Sequence, residues 1–203
     1  MLTLFHSPQS RSTRIIRLLD EMGARDRVMI RTVSIPRQDG TGGRDAANPH
    51  PEGKVPLLVD GDEVITESNA IMLHLTDSLG DGQIGPRHGE KGRGSYLAWL
   101  AWYGNVVEPV MVAAAAGLDH PFLTSSFRGQ AEVAARLSDA LKGHPFLMGN
   151  HPTAADILLA SPFLFFPDFT PDAPVIRDWV KRCGALPSTA SAAAFDQEMM
   201  AAA

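Results

Sequence analysis

The sequence predicts two dissimilar parts, a small α/β domain in front and an all-helical domain behind it. Three observations carry this. Residues 1–79 mix strand-like and helix-like spacing of apolar residues. A Gly-rich, polar stretch over 80–94 then interrupts the pattern and reads as a linker. Nothing from 95 to 203 alternates as a strand would, so that segment is assigned to helices.

Met1 to Phe5 is a short apolar run, suited to a buried strand, followed by turn-forming residues His6-Ser7-Pro8-Gln9. From Ser12 the spacing becomes helical: Ile15, Ile16, Leu18, Leu19 and Met22 share one broad face, and Gly23 ends the run. Val28, Ile30, Val33 and Ile35 alternate and predict a second strand over 28–35. A strand-helix-strand unit implies a parallel pair joined by a crossover. Pro56 to Val59 and Glu63 to Thr66 are two further strand runs separated by Asp60-Gly61-Asp62, a hairpin signal. A helix is expected over 68–79, giving the order βαβ, a loop with a short helix, then ββα. Beyond the linker, helices are expected over 96–118 with a kink at Pro109, 125–141, 153–165 and 174–183, with a weaker Ala-rich helix after Pro187.

Hydrophobic residues make up 44% of the 203, so the chain is expected to fold around a real core. The net charge of -5 comes from interleaved acids and bases. Phosphate neutralisation needs clustered Lys and Arg, which argues against nucleic acid as a partner. The single cysteine, Cys183, permits no intrachain disulfide or thiolate metal cluster and reads as a packing residue. No metal site is expected. The N-terminus lacks a signal-peptide pattern, and no apolar run approaches the ~20 residues that span a bilayer. The expectation is a cytoplasmic protein with no membrane partner.

Three segments are candidates for chemistry. A proline opening a strand cannot donate to the sheet, and a cis Val55-Pro56 bond would leave the Val55 backbone free to pair with an extended peptide. Taken alone, Val55-Pro56 also reads as an ordinary trans edge-strand proline, the commoner case. Glu67-Ser68 stands where strand turns into helix. Free N–H groups and the Ser68 hydroxyl there suit a carboxylate, and Glu67 suits an ammonium; simple capping by Thr66 or Ser68 is the alternative. The third segment, Ser7 to Arg14, offers hydroxyls at the start of the first helix. They suit helix capping, or one of them donates to a bound thiolate with help from Arg11 and the helix N-terminus. Lowering a thiol pKa by two units takes about 2.7 kcal/mol, within reach of one charge-assisted hydrogen bond plus the helix dipole. No His and Asp accompany these serines at hydrolase spacing, which makes a Ser-His-Asp hydrolase a poor fit.

The stretches SPQSRSTRIIRLLDEMG and NPHPEGKVPLLVDGDEVITESNAIMLHL, in this order, resemble the thioredoxin-like domain of the glutathione transferase superfamily. HPFLMGNHPTAADILLA extends the resemblance into the second half, where Thr153 and Asp156 form a capping box of structural character. The resemblance implies a thioredoxin-like glutathione-binding domain over 1–79 and an all-helical domain with an electrophile pocket over 95–203. It implies a cis Pro56, Val55 pairing with the cysteinyl backbone of glutathione, Glu67 and Ser68 holding its γ-glutamyl end, and Lys54 reaching its glycyl carboxylate. Ser10 becomes the catalytic residue, with Arg11 beside it and Ser7 and Ser12 as rivals. Tyrosine-type members carry Tyr at the end of the first strand, where this chain has Phe5 and His6, and cysteine-type members carry Cys at the place of Ser10. His6 is a candidate base, but nothing orients it, and a strand-end residue is the preferred reading. Trp99 is assigned to the core and Trp102 or Tyr103 to the electrophile pocket; the Arg14 and Arg17 row reads as a solvated helix face. The implied protein is a homodimeric glutathione transferase acting on a small apolar electrophile, with no cofactor beyond glutathione as co-substrate. A silent glutathione-binding protein of the same fold, or a glutathione-dependent isomerase or dehalogenase, are the alternatives.

Overall fold

The computed structural model describes residues 1–202. Two compact units are present, the second being Asp81–Leu186.

The first unit opens with β1 (Leu2–His6), α1 (Thr13–Glu21), a single 3-10 turn over Arg25–Arg27 and β2 (Val28–Thr32). A loop leads to β3 (Leu57–Asp60), β4 (Glu63–Ile65) and α2 (Ser68–Leu79). The strand order is β2-β1-β3-β4, with β1 parallel to β2 and antiparallel to β3. The βαβ-ββα reading therefore holds. The short helix expected in the long loop is absent, and only turns occupy it. The second strand stops at Thr32, although the Val33 N–H still donates to the His6 carbonyl at 2.8 Å. The β3–β4 hairpin closes through Gly61-Asp62, with Gly61 at φ +59. Positive φ at the first central position alone is the arrangement of a II′ turn, which asks for Gly there.

Core formation follows the alternation. Leu4, Leu57 and Leu58 from the sheet and Ile15, Ile16, Leu18, Leu19, Ile71 and Leu75 from the helices are fully buried. Phe5, Val33, Val55 and Leu57 form a second cluster, so the Val55 side chain is fixed in the core.

The second unit is helical: α3 (Arg93–Trp102), α4 (Glu108–Ala115), α5 (Pro121–Phe127), α6 (Gln130–Ala140), α7 (Ala154–Phe165) and α8 (Pro174–Gly184). The expected helix over 96–118 is interrupted by a π turn at Tyr103–Val107, where the Glu108 N–H bonds the Tyr103 carbonyl five residues back. Pro109 explains it: its missing N–H cannot serve the normal ladder, and one wider turn absorbs the fault. The helix expected over 125–141 is two helices, because Arg128 at φ +64 breaks the run before Gly129. In α7 the capping box is complete. The buried Asp156 carboxylate accepts from the Leu147 N–H at 2.9 Å, the Thr153 N–H at 2.9 Å, the Thr153 hydroxyl at 3.0 Å and the Trp179 indole at 2.9 Å. Burial pushes this carboxyl above its ordinary value, against the pull of those four donors.

The last helix, α9 (Pro187–Ala201), corrects the domain division. The sequence placed 95–203 in one helical domain, but α9 groups with Met1–Gly80 and packs along α1. Its Ala-rich sequence has no apolar stripe to declare a face; close packing of small side chains does the docking, and Ala192 is buried. The Arg row on α1 is corrected for a related reason. Arg14 and Arg17 are buried, at 7% and 5% exposure, on a helix flanked by both α2 and α9; only Arg11 is exposed.

Candidate functional site

Strand register brings the three candidate segments to one end of the sheet. Leu57 pairs with Phe5, so Val55-Pro56 enters β3 beside the place where β1 gives way to the serine loop. Leu58 pairs with Ile65, so Glu67-Ser68 leaves β4 at the same end. The Val55-Pro56 bond is cis. With its side chain in the core, Val55 keeps its backbone N–H and C=O without hydrogen-bond partners among the described residues. Lys54 is exposed and paired with Glu52, while its carbonyl accepts from Asn48 Nδ2 at 3.0 Å.

Glu67 occupies the N-cap position of α2 at φ +69 and ψ 124, with no side-chain capping bond. Capping by Thr66 or Ser68 is thus not what the helix uses. A positive φ is costly for a residue with a Cβ, on the order of 1–3 kcal/mol, and such positions concentrate at binding sites. The Glu67 side chain is exposed and Ser68 half-buried at an open helix start.

The serine loop is held from several directions. Arg37 donates to the Ser7 hydroxyl at 3.2 Å and the Pro8 carbonyl at 2.8 Å. Gln9, at φ +52, donates its N–H to Asp196 Oδ2 at 2.6 Å, and the Thr13 hydroxyl donates to the same oxygen at 2.7 Å. The three serines differ in access. Ser7 and Ser12 are buried, at 3% and 0% exposure, and Ser10 retains accessible surface. Ser12 forms no side-chain cap. Its Oγ instead accepts the Ser7 N–H at 3.0 Å and lies 2.8 Å from both His6 Nδ1 and Ser10 Oγ. Ser10 Oγ accepts the Ser12 N–H at 3.1 Å and donates to the Ser7 carbonyl at 2.7 Å.

His6 corrects the reading that nothing orients it. Fully buried, it presents Nδ1 to Ser12 and Nε2 to Asp196 Oδ1 at 3.1 Å, and its ring lies 5.8 Å from that of Phe195. The Nε2 contact is a close charge contact without the alignment of a hydrogen bond. Burial pushes the Asp196 carboxyl up, but His6, the Gln9 N–H and the Thr13 hydroxyl together bring it below its ordinary value. Sequence reasoning missed both Asp196 and Arg37. Asp196 is one of two acids, with Glu198, in an Ala-rich tail, 190 residues from His6, with no spacing signal to connect them.

Trp102 and Tyr103 are core residues of the second unit, at 9% and 3% exposure. The Arg136 guanidinium lies 4.3 Å from the Trp102 ring and 4.8 Å from that of Trp99. Trp99 is buried as expected, and so is Cys183. No helix of the described residues is long and apolar enough to cross a membrane, and no cluster of three or more His, Cys, Asp or Glu among them is placed to hold a metal ion.

A thioredoxin-like unit with a cis proline before its hairpin, joined to a helical unit, defines the glutathione transferase architecture. The family models agree: residues 4–81 match the glutathione S-transferase N-terminal domain and residues 119–187 its C-terminal domain. Together these cover more than two thirds of the chain, which belongs to the glutathione S-transferase family. Among solved structures, a glutathione S-transferase from Actinobacillus pleuropneumoniae is 26% identical with a TM-score of 0.78, over 97% of this chain and 93% of that one. A glutathione transferase from Methylococcus capsulatus gives 22% and 0.77, over 97% and 99%. A sphingomonad glutathione S-transferase complexed with glutathione gives 23% and 0.73, over 96% and 98%; at these last two identities the likeness is one of fold. No curated protein matches the sequence.

Proposed function

We propose that this protein binds glutathione in its first unit and activates the thiol for attack on a small apolar electrophile. The observation that carries the proposal is the convergence at one sheet end of an unpartnered Val55 backbone, an open α2 start at Glu67-Ser68 and a partly exposed Ser10 hydroxyl. An extended tripeptide paired on Val55 has its α-amino acid end suited to Glu67 and Ser68, and Lys54 supplies a cation for the glycyl carboxylate. Of the three serines, Ser10 alone is not buried, and the Ser12 N–H already donates to its oxygen; both favour Ser10 as the donor to the sulfur. Arg11 is exposed one residue on and adds positive potential. The rate gain then comes from a stabilised thiolate held in place. A homodimer working in the cytoplasm is the accompanying proposal, and its mass in solution tests the first part.

The test is turnover of an aryl halide with glutathione by wild type and Ser10→Ala. A thiolate stabilised by about two pKa units corresponds to a roughly hundredfold loss in the variant near neutral pH. Glutathione binding with no turnover in the wild type would overturn the activity and leave a binding protein. An unchanged rate in Ser10→Ala would move the role away from Ser10.

A further inference from the structure

Asp196, His6, Ser12 and Ser10 form a continuous polar file. It starts 3% exposed at α9, passes the fully buried His6 and Ser12, and emerges at the one serine of the loop that is not buried. The successive separations are 3.1, 2.8 and 2.8 Å; the first is the charge contact, and the two that involve Ser12 are of hydrogen-bond length and short enough for a proton to pass.

We infer that this file is a proton relay in which His6 takes the proton of the thiol bound at Ser10. The inference rests on the glutathione reading above. The direction follows from the donors that cannot turn. With the Nε2–H facing the Asp196 carboxylate, Nδ1 carries the lone pair and accepts the Ser12 hydroxyl. The Ser10 hydroxyl turns from the Ser7 carbonyl, 2.7 Å away, to Ser12 Oγ at 2.8 Å, and Ser10 Oγ accepts from the thiol. As the S–H bond breaks, its proton forms a new O–H on Ser10; the former Ser10 proton passes to Ser12, and the former Ser12 proton to Nδ1. Thiol plus imidazole become thiolate plus imidazolium, with no other reactant.

Afterwards both hydroxyl oxygens keep their partners, while the Ser7 carbonyl gives up the hydroxyl donors within its reach, Ser10 at 2.7 Å and Ser12 at 3.1 Å. Ser12 Oγ accepts the Ser7 N–H and Nδ1–H and donates to Ser10; Ser10 Oγ accepts the Ser12 N–H and hydroxyl and donates to the sulfur. The buried imidazolium faces the Asp196 carboxylate. The β2 neighbour of His6 is the uncharged Thr32, and α1, which follows the serine loop, carries the buried Arg14 and Arg17. Arg37 reaches the loop at Ser7 and Pro8, and Arg25, paired with Asp20, lies over the Phe195 ring. Asp196 is the carboxylate in direct contact with the ring. His6 and Asp196 are positioning residues here, because neither touches the thiol.

The decisive readout is the number of protons released to solvent per thiolate formed when glutathione binds. It is obtained by calorimetry in buffers of different ionisation enthalpy together with the ultraviolet thiolate band. Wild type near neutral pH is expected to release close to none, because His6 keeps the proton. His6→Gln is expected to release close to one and to raise the pKa of bound glutathione by about one unit, a roughly tenfold loss of thiolate at lower pH. Ser12→Ala cuts the file by removing the hydroxyl that both His6 Nδ1 and Ser10 Oγ meet, and is expected to slow thiolate formation in stopped flow. A wild type that forms thiolate and releases one proton for each overturns the relay while leaving the proposed function intact. A wild type that binds no glutathione overturns both. The wild-type count decides even where a variant does not fold.

Discussion

Replacing Asp156 with Asn tests whether the capping-box carboxylate holds the helical unit together. Its two oxygens accept four hydrogen bonds, two from α7's own start, one from Leu147 and one from the Trp179 indole on α8. Asparagine has nearly the same shape but replaces one oxygen with an N–H donor. Turned toward Leu147 and Trp179, its amide would strand two buried donors. Turned toward Thr153 it strands one, because the Thr153 hydroxyl can rotate to accept. The second orientation is therefore the cheaper, costing about 1–3 kcal/mol for the orphaned N–H. The surviving bonds also lose their charge assistance, about 1 kcal/mol each. Against this, removing a buried charge relieves the desolvation that raises the Asp156 pKa. A net loss of about 3 kcal/mol is expected. For a chain of this size that is about 6–12 °C in Tm, read by circular dichroism and checked by the urea midpoint. A variant melting within about 2 °C of wild type would show that the four bonds are worth no more than their exchange with water.

Three further outcomes follow from packing and charge. A Cβ at Gly85 would meet the buried Tyr96 ring at 2.7 Å, so Gly85→Ala is expected to cost about 1–3 kcal/mol and lower the urea midpoint; an unchanged midpoint would mean the ring shifts freely. For Asp196 the sign of the pH effect comes from its lowered carboxyl. The stability its ionised form supplies is complete above the ordinary value near 3.8 and is lost as pH falls through the lower folded value. Asp196→Asn should therefore lag wild type most above that value and converge with it in stronger acid, and a gap independent of pH between about 2 and 5 would refute the ion-pair account. Removing the Arg136 side chain uncovers Trp99 and Trp102, and Arg136→Ala is expected to cost about 0.5–2 kcal/mol with a red-shifted tryptophan emission; an unshifted spectrum would place the guanidinium elsewhere in solution.

What the sequence disclosed and what it withheld divide along a physical line. The Gly61 hairpin, the Thr153–Asp156 cap and the Glu67-Ser68 helix start are local: each is written within a few residues and obeys turn or capping chemistry. The Pro109 fault was visible as a kink, but its resolution into a π turn depends on the register of the whole helix. The role of His6 was not legible, because the partner that orients it lies on α9, whose Ala-rich surface gives no periodic signal. The same helix contributes to burying the α1 face that spacing alone would assign to solvent, which is why Arg14 and Arg17 were misread. Arg37 was hidden for the opposite reason: it sits in a loop without pattern, and only the fold brings it to Ser7.

The return of α9 to α1 has a consequence for biogenesis. Asp196, which anchors Gln9, Thr13 and His6, leaves the ribosome 187 residues after Gln9. At about 5–20 residues per second, the serine loop waits on the order of 10–40 s for its carboxylate to be made. Nascent chains stalled before α9 emerges are thus expected to carry a formed sheet but a serine loop still without its anchor.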